Sequence, residues 1–356
     1  MNAHTGQSSG NRRSVAIFDL DIAATRSGWL LTALCLAYAV TALYLEPDRY
    51  LHLAHSYAKP FVFFLPALLA AGLGLVALTF ARHNPTRFML DTLRQRWLAA
   101  APVILLFFLG ITAFTTLKVA IPDIVPFYAD RALAALDFRL HGADPWTWAH
   151  SVVPEPASAV IFAGYAYVWH VQWFGILLFV AFWNDPVRRL RYLWAFALTT
   201  ILCGTVLATL LSSTGPIFYY QFYGGDRFAG LQIALARHGY ATSVDAYASY
   251  LFAAYESGRP ELGTGISAMP SVHVAIATLN AFLLAGFGRR WAIIGWSFAA
   301  LILFGSVYTG WHYAVDGYLS ILVVSLLWSL TGRFVLPQAS RNIAEVGSAI
   351  PDPAPQ

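Results

Sequence analysis

The hydropathy pattern divides the chain into long apolar stretches separated by short polar segments. A helix that crosses a bilayer needs about 20 mainly apolar residues, and about eight stretches approach that length. The pattern therefore predicts an all-α, polytopic integral membrane protein with about eight transmembrane helices. The predicted spans have the approximate bounds 27–46, 60–81, 98–118, 158–183, 193–213, 271–287, 291–309 and 314–333.

The composition supports this fold class. Of 356 residues, 58% are hydrophobic and only 11% are charged, whereas a soluble domain carries about a quarter charged residues. The net charge of +4 requires no nucleic-acid partner, because the arginines lie in short loops between spans. The two cysteines, Cys35 and Cys203, lie inside apolar stretches and predict neither a disulfide nor a zinc site.

The arginine-rich loops predict the orientation of the spans. These loops follow the second, fourth and sixth predicted spans, so with eight spans they share one side of the membrane with both termini. By the positive-inside rule that side is the cytoplasm. We expect a multi-pass protein of the cell inner membrane. The loop arginines are Arg82, Arg87, Arg94, Arg96, Arg188, Arg189, Arg191, Arg289 and Arg290.

A first histidine motif opens the sixth predicted span with Pro270, Ser271 and His273. Proline suits a first helical turn because its missing N–H would be unpaired there anyway. Such a helix N-terminus favours anions, since the dipole and the free N–H groups point at the ligand. We predict a phosphate over Ser271, with His273 placed to protonate a leaving oxygen. The alternative is an interfacial histidine that packs and contacts water.

A second histidine motif opens the eighth predicted span with His312 and Asp316. Their i, i+4 spacing places them on one face of a helix. The carboxylate would accept one ring N–H and leave the other nitrogen free to attack phosphorus. The alternative is a capping pair at a helix start. One histidine and one aspartate are too few ligands for a metal, so we predict no metal and no cofactor.

Both motifs fall on the predicted extracytoplasmic face, one membrane hairpin apart. The pattern Pro-Ser-x-His, a hairpin, then His-Tyr-x-x-Asp resembles the type-2 phosphatidic acid phosphatase superfamily. This resemblance implies that His312 is a nucleophile that forms a phosphohistidine. It also implies that Asp316 orients His312 and that His273 is the general acid.

The same resemblance predicts how the chain is organised. Residues 1–26 would form a cytoplasmic N-terminal tail, and residues 27–97 two additional transmembrane helices. Residues 98–333 would form the catalytic six-helix membrane core. Residues 334–356 would be a cytoplasmic disordered tail.

Departures from the superfamily pattern concern the groups that hold phosphate. Its phosphatases usually place an arginine shortly before the nucleophilic histidine, where this chain has Ser306. They also carry a basic motif ahead of the first histidine, where residues 212–216 contain no basic residue. Arginine is the natural bidentate clamp for phosphate. We therefore predict Ser271, Arg227 and Lys118 as substrate-binding residues.

In lacking these arginines, the chain resembles the inositolphosphotransferase branch, which includes fungal inositol phosphorylceramide synthase. The segment from Lys118 to Trp146 is also similar to that branch. This resemblance implies a membrane lipid substrate and transfer of a phosphate-containing headgroup to an alcohol acceptor. With water as the acceptor, the protein would be a lipid phosphate phosphatase. A third hypothesis is a non-catalytic lipid transporter or scaffold, in which the histidines relay protons or bind headgroups.

Overall fold

The computed structural model describes residues 25–237 and 241–348. Within these ranges the chain is helical and contains no strand. Seven helices are long and apolar enough to cross a membrane, and an eighth apolar helix is shorter. The prediction of an all-α polytopic membrane protein is confirmed.

The helices of the first half form four crossings, with two short helices between the third and the fourth. They are α1 (Arg26–Leu45), α2 (Pro47–Phe80), α3 (Pro85–Ile124), α4 (Asp130–His141), α5 (Pro145–Val152), α6 (Glu155–Ala163) and α7 (Trp169–Phe182). One π-helical turn, Gly164–Val168, joins α6 to α7, and the two form a continuous span.

The second half has three long crossings and one short apolar helix. It also has a cap of short helices over residues 219–257, at the end of the bundle near Ser271, and this end is called the outer end here. Its helices are α8 (Pro186–Ile201), α9 (Leu207–Leu210), α10 (Tyr219–Tyr223), α11 (Ala229–Arg237), α12 (Ala241–Ser257), α13 (Val272–Ala285), α14 (Arg289–Tyr308) and α15 (Ala314–Ser348). A second π-helical turn, Leu202–Val206, joins α8 to α9.

The short helix α13 occupies the centre of the bundle. Its residues 274–281 are all buried, and it packs against α7, α8, α14 and α15. Its 14 residues span about 21 Å, against about 30 Å for the 20 residues of α14, at 1.5 Å per residue. Because a tight turn joins these two antiparallel helices, the N-terminus of α13 lies roughly 9 Å below the outer end of α14.

Several helices extend beyond the predicted spans. The helix α2 begins at Pro47 rather than near residue 60, and α3 covers Pro85–Ile124 rather than 98–118. The backbone is also helical over residues 334–348, where the sequence predicts a disordered tail. Hydropathy marks only the apolar part of a helix, whereas its backbone hydrogen bonds continue into polar surroundings. Residues 1–24 and 349–356 lie outside the described residues.

The outer cap packs on a hydrophobic cluster of its own. Its buried residues include Leu133 of α4, Leu231 and Leu235 of α11, and Ile217 and Phe218 of the turn before α10. The same cluster includes Tyr313 and Val315. The cap therefore rests directly on the beginning of α15, where the second histidine motif lies.

Candidate active site

The segment between α14 and α15 turns back into the bundle and carries His312 with it. Gly310 adopts a left-handed conformation with φ of 76°, which favours glycine, and a Cβ there would collide with Leu231. The backbone N–H of His312 then donates to the carbonyl of Ser306 at 3.2 Å. This turn places His312 below the end of α14, at the level where α13 begins.

The hydrogen bonds of His312 define its tautomer. Its Nδ1 lies 2.8 Å from the carbonyl oxygen of Ala268 and 3.3 Å from Oδ2 of Asp316. A carbonyl oxygen only accepts hydrogen bonds, so Nδ1 carries the proton. The lone pair of the neutral ring is therefore on Nε2. Among the described residues nothing pairs with Nε2, and only 7% of the side chain is exposed.

Asp316 is fully buried below His312. Besides facing Nδ1, its Oδ2 accepts the backbone N–H of Tyr313 at 3.0 Å. Its Oδ1 has no hydrogen-bond partner among the described residues. The carboxylate thus contacts His312 and also fixes the backbone next to it.

His273 faces His312 across the site, with 6.2 Å between the ring centroids. Its ring stacks on Trp169 at 3.9 Å and on Tyr165 at 4.7 Å. The indole N–H of Trp169 also donates to the carbonyl of His273 at 3.0 Å. These contacts hold the imidazole between two aromatic side chains of the α6–α7 span. No hydrogen bond pairs its ring nitrogens with another described residue.

Ser271 is the N-cap of α13. Its hydroxyl accepts the N–H of Val274 at 3.4 Å, and its carbonyl accepts the hydroxyl of Ser320 at 2.9 Å. Among the described contacts, the N–H groups of Val272 and His273 have no acceptor. The first turn of α13 thus presents two free backbone donors beside both histidines, which suits an anion.

Asp130 holds the outer loops around the site, and the sequence analysis missed this role. Its buried carboxylate accepts the N–H of Thr214 at 2.9 Å and the N–H of Gly215 at 2.8 Å. It also accepts the hydroxyls of Tyr223 at 2.9 Å and Tyr313 at 3.0 Å. Burial and the charge of Asp130 raise the pKa of Tyr313, which therefore stays protonated and donates.

Asp137, two turns along α4, holds the start of α15. Its carboxylate accepts the N–H of Ala314 at 2.8 Å and the N–H of Val315 at 3.1 Å. Burial raises the pKa of Asp137, and these two backbone N–H groups act in the opposite direction. An ionised carboxylate at this helix N-terminus is also favoured by the helix dipole.

A signal for both aspartates was present in the sequence. Asp130 and Asp137 lie seven residues apart and share the buried face of α4 with Leu133 and Ala134. Acidic residues on the apolar face of an amphipathic helix are rarely buried without donors. That placement predicts partners elsewhere in the chain, although it does not identify them.

Lys118 lies near the outer end of α3, beside the site. Its side chain passes Gly265, where a Cβ would come within 3.0 Å of Lys118 Cγ, and its charge acts on His273. No hydrogen bond or ion pair joins it to another described residue. Lys118 is thus a cation near His273 without a hydrogen-bond or ion-pair partner among the described residues.

Arg227 is already paired. Its Nη2 lies 2.8 Å from Oδ1 of Asp144 and 2.8 Å from the carbonyl oxygen of Ala134. Burial alone lowers the pKa of Arg227, but the hydrogen bond and the charge of Asp144 outweigh it, and the net shift is upward. Asp144 lines a small pocket together with His312. Arg227 therefore lies one residue away from that pocket rather than in it.

Ser306 lies where the superfamily usually has an arginine, and its side chain bonds within its own helix. It is fully buried, and its hydroxyl donates to the carbonyl of Leu303 at 2.7 Å. Among the described residues, no group of three histidine, cysteine or acidic side chains could hold a metal ion. The site consists of two histidines, a carboxylate, a helix N-terminus and a lysine.

The structure is thus that of a multi-pass membrane protein in which two histidines and a buried carboxylate lie together at one helix N-terminus. A model described as the PAP2 superfamily matches residues 131–330, more than half of the chain. The chain belongs to the PAP2 superfamily. Neither a curated protein nor a solved structure matches it.

Members of this superfamily are phosphatases or phosphotransferases, so the chain is an enzyme of that kind. The matched region includes His273, His312 and Asp316, as well as Asp137. The non-catalytic transporter or scaffold is accordingly the weakest of the three hypotheses. The match starts in α4, so it leaves the first three helices unassigned.

Proposed function

We propose that this protein is a membrane-embedded lipid phosphotransferase that acts through a phosphohistidine on His312 at the extracytoplasmic face of the inner membrane. The observation that carries the proposal is the environment of His312. Its Nδ1–H faces the carbonyl of Ala268 and the carboxylate of Asp316. Its Nε2 carries the lone pair and has no hydrogen-bond partner among the described residues, and the ring of His273 lies 6.2 Å from that of His312. A buried imidazole in that state is an activated nucleophile.

In the first half-reaction, Nε2 of His312 attacks the phosphorus of the lipid. The N–P bond forms while the bond from phosphorus to the leaving oxygen breaks, and His273 gives that oxygen a proton. Asp316 stabilises the positive charge that develops on the ring of His312. In the second half-reaction, the acceptor hydroxyl returns its proton to His273 and attacks phosphorus, and the N–P bond breaks.

The phosphate would be held by the N-terminus of α13 and by Lys118. The free N–H groups of Val272 and His273 supply donors beside Ser271. Lys118 supplies a cation without a partner. Together these groups offer phosphate the contacts that the superfamily's usual arginines provide by bidentate pairing.

We further propose that the chain belongs to the inositolphosphotransferase branch of the superfamily. Two features support this assignment: Ser306 is fully buried where the arginine usually lies, and residues 212–216 contain no basic side chain. The acceptor would then be an alcohol, and the phosphohistidine would carry the headgroup. Release of free phosphate instead would identify a lipid phosphate phosphatase that uses the same first half-reaction.

The proposal is tested with purified full-length protein in nanodiscs and lipids that carry ³²P in the headgroup phosphate. We expect an acid-labile phosphoprotein in the wild type and none in His312→Ala. The matched control is His55→Ala, since His55 is exposed on α2. A His312→Ala variant that forms as much phosphoprotein as the wild type would refute the mechanism.

The acceptor is identified in the same preparation. Radioactivity that appears in a new lipid when alcohols or lipid alcohols are added supports transfer. Radioactivity found only in free phosphate or a free headgroup phosphate, whatever alcohol is present, contradicts transfer and supports the phosphatase. The face of the membrane is tested by labelling single cysteines placed at exposed positions such as Tyr128 with an impermeant thiol reagent in intact cells.

A further inference from the structure

A second cavity lies inside the membrane region, away from the polar groups of the site. It is a partly open space of about 80 Å³ between α1, α3, α7 and α8, several times the roughly 10–15 Å³ that a single buried water needs. All of its lining residues come from the middle of these spans. They include Leu31, Gly110, Trp173 and Phe196.

The lining of this cavity is mainly apolar and suits hydrocarbon. Its hydroxyls are paired elsewhere: the hydroxyl of Tyr38 pairs with Thr205 at 2.7 Å, and the hydroxyl of Thr200 donates to the carbonyl of Phe196 at 3.0 Å. The indole N–H of Trp173 is buried and has no partner among the described residues, and the other lining groups are aliphatic, aromatic or the thiol of Cys35. A headgroup or an ion needs several polar partners and would not find them there.

An aromatic wall connects the cavity to the catalytic site. Trp173 lines the cavity and contacts Trp169 at 4.9 Å between ring centroids. Trp169 in turn stacks on His273. Trp173 lies one helical turn deeper in the membrane than Trp169, so the cavity begins just below the site and extends toward the bilayer centre.

We propose that this cavity binds a hydrocarbon chain of the phosphate-bearing lipid substrate while its phosphate lies between His273 and His312. This inference deepens the proposed function and rests on it for the identity of the ligand as a substrate. It gives the N-terminal helix α1 a role, because Leu31, Cys35 and Tyr38 form one wall of the cavity. The shape of the cavity would select the hydrocarbon chain of the lipid, and the polar site above it would select the headgroup.

Photolabelling tests this proposal independently of turnover. The protein is reconstituted in phosphatidylcholine nanodiscs with phosphatidic acid that carries a diazirine at the end of one acyl chain. We expect labelled peptides from α1, α3 and α8, in the wild type and equally in His312→Ala. The same diazirine on phosphatidylcholine should label the lipid-facing surface instead. Equal labelling of the cavity by both probes would overturn the proposal, since it would show a structural bilayer lipid.

A substitution that fills the cavity provides a second test of the proposal. A Cβ at Gly110 meets nothing within 4 Å, so Gly110→Phe fills the cavity without a clash at its base. We expect roughly tenfold less labelling of the cavity by the phosphatidic acid probe. The control is Gly72→Phe, because Gly72 also has nothing within 4 Å but is exposed on α2.

The outcomes of the two variants are interpreted together. Equal labelling in Gly110→Phe and Gly72→Phe would overturn the proposal. If Gly110→Phe does not fold, Ala197→Leu reduces the same cavity from the α8 wall. A labelled cavity in a protein that forms no phosphohistidine would leave this inference standing while it refutes the proposed function.

A different observation carries a second inference, which concerns Tyr165. Its side chain is only 5% exposed, and its hydroxyl has no hydrogen-bond partner among the described residues. The ring stacks on His273 and lies 3.3 Å from the position that a Cβ of Gly305 would take. It therefore occupies space beside Ser306, and the charge of Asp316 acts on its hydroxyl.

We infer that the hydroxyl of Tyr165 donates a hydrogen bond to a phosphoryl oxygen at the site and replaces one donor of the missing arginine. The test is Tyr165→Phe, which keeps the stacked ring, with Tyr167→Phe at an exposed position of the same turn as the control. We expect binding of orthovanadate, followed by thermal shift, to weaken about 10²-fold, as for the loss of one oxyanion donor. Unchanged vanadate affinity in Tyr165→Phe would overturn the inference.

Discussion

The hydroxyl of Tyr313 donates to the carboxylate of Asp130 at 3.0 Å, and this bond joins α4 to the residue that follows His312. The same carboxylate holds the N–H groups of Thr214 and Gly215. One side chain thus fixes two loops, and a side chain on Gly215 would collide with the carbonyl of Trp311. The position of the proposed nucleophile thus depends on Asp130, which holds the residue next to it rather than His312 itself.

We predict that Asp130→Asn lowers both activity and thermal stability. The amide keeps the shape of the carboxylate but loses its charge and one of its acceptor atoms, which leaves buried donors unpaired. Each such donor costs about 1–3 kcal/mol. Activity and melting temperature in nanodiscs measure the effect. Asp123→Asn is the control, since Asp123 is exposed and pairs with Arg49, and a wild-type melting temperature in Asp130→Asn would contradict the prediction.

We predict that Asp316→Asn slows formation of the phosphoprotein without preventing the protein from folding. The amide still accepts the N–H of Tyr313, but it no longer stabilises the charged ring of His312. In a comparable arrangement the loss reaches about 10⁴-fold in kcat. Rapid-quench measurement of the phosphoprotein gives the rate. Asp316→Ala separates charge from packing, and a rate in Asp316→Asn within a factor of about two of the wild type would exclude the orienting role.

We predict that Lys118→Met weakens binding of the phosphate group. Lys118 has no partner among the described residues, so its loss leaves no buried charge behind, and methionine keeps the length of the chain. The expected effect is an increase in KM or in the vanadate inhibition constant of about 10-fold or more, for a lost charge-assisted bond. Lys59→Met on α2 is the matched control, and a similar change in both variants would argue against a specific contact.

We predict that Arg227 acts through Asp144 rather than through phosphate. A double-mutant cycle with Arg227→Gln, Asp144→Asn and both together measures their coupling. Their bond of 2.8 Å is partly buried, so we expect a coupling energy of about 1 kcal/mol or more in unfolding. Vanadate affinity should change little in Arg227→Gln. A large loss of vanadate affinity with no coupling to Asp144 would contradict the prediction and show that Arg227 binds phosphate directly.

Local spacing was sufficient to predict the core of the site. The i, i+4 pair of His312 and Asp316 and the helix start at Ser271 depend only on residues close in sequence, and the structure brings these groups together with His273. Seven of the eight predicted spans are also long and apolar enough to cross a membrane, and the eighth is shorter. These features are determined by helical periodicity and by the thickness of the bilayer.

Partners distant in sequence could not be predicted in the same way. Arg227 pairs with Asp144, which lies 83 residues earlier in the chain. Asp137 accepts a backbone N–H that lies 177 residues later. Nothing in the local pattern identifies these distant partners. The role of Tyr165 likewise depends on a ring stack between two separate helices. Such pairings arise only when the helices pack.

The shortness of α13 also bears on the competition between water and alcohols. Its N-terminus lies roughly 9 Å below the outer end of α14, so the proposed reaction would take place within the thickness of the membrane rather than at its surface. A hydroxyl group attached to a lipid reaches that depth by lateral diffusion, together with the apolar body that anchors it. Water must enter a space walled by tryptophan and tyrosine rings. Depth alone would therefore favour acceptors that already belong to the bilayer.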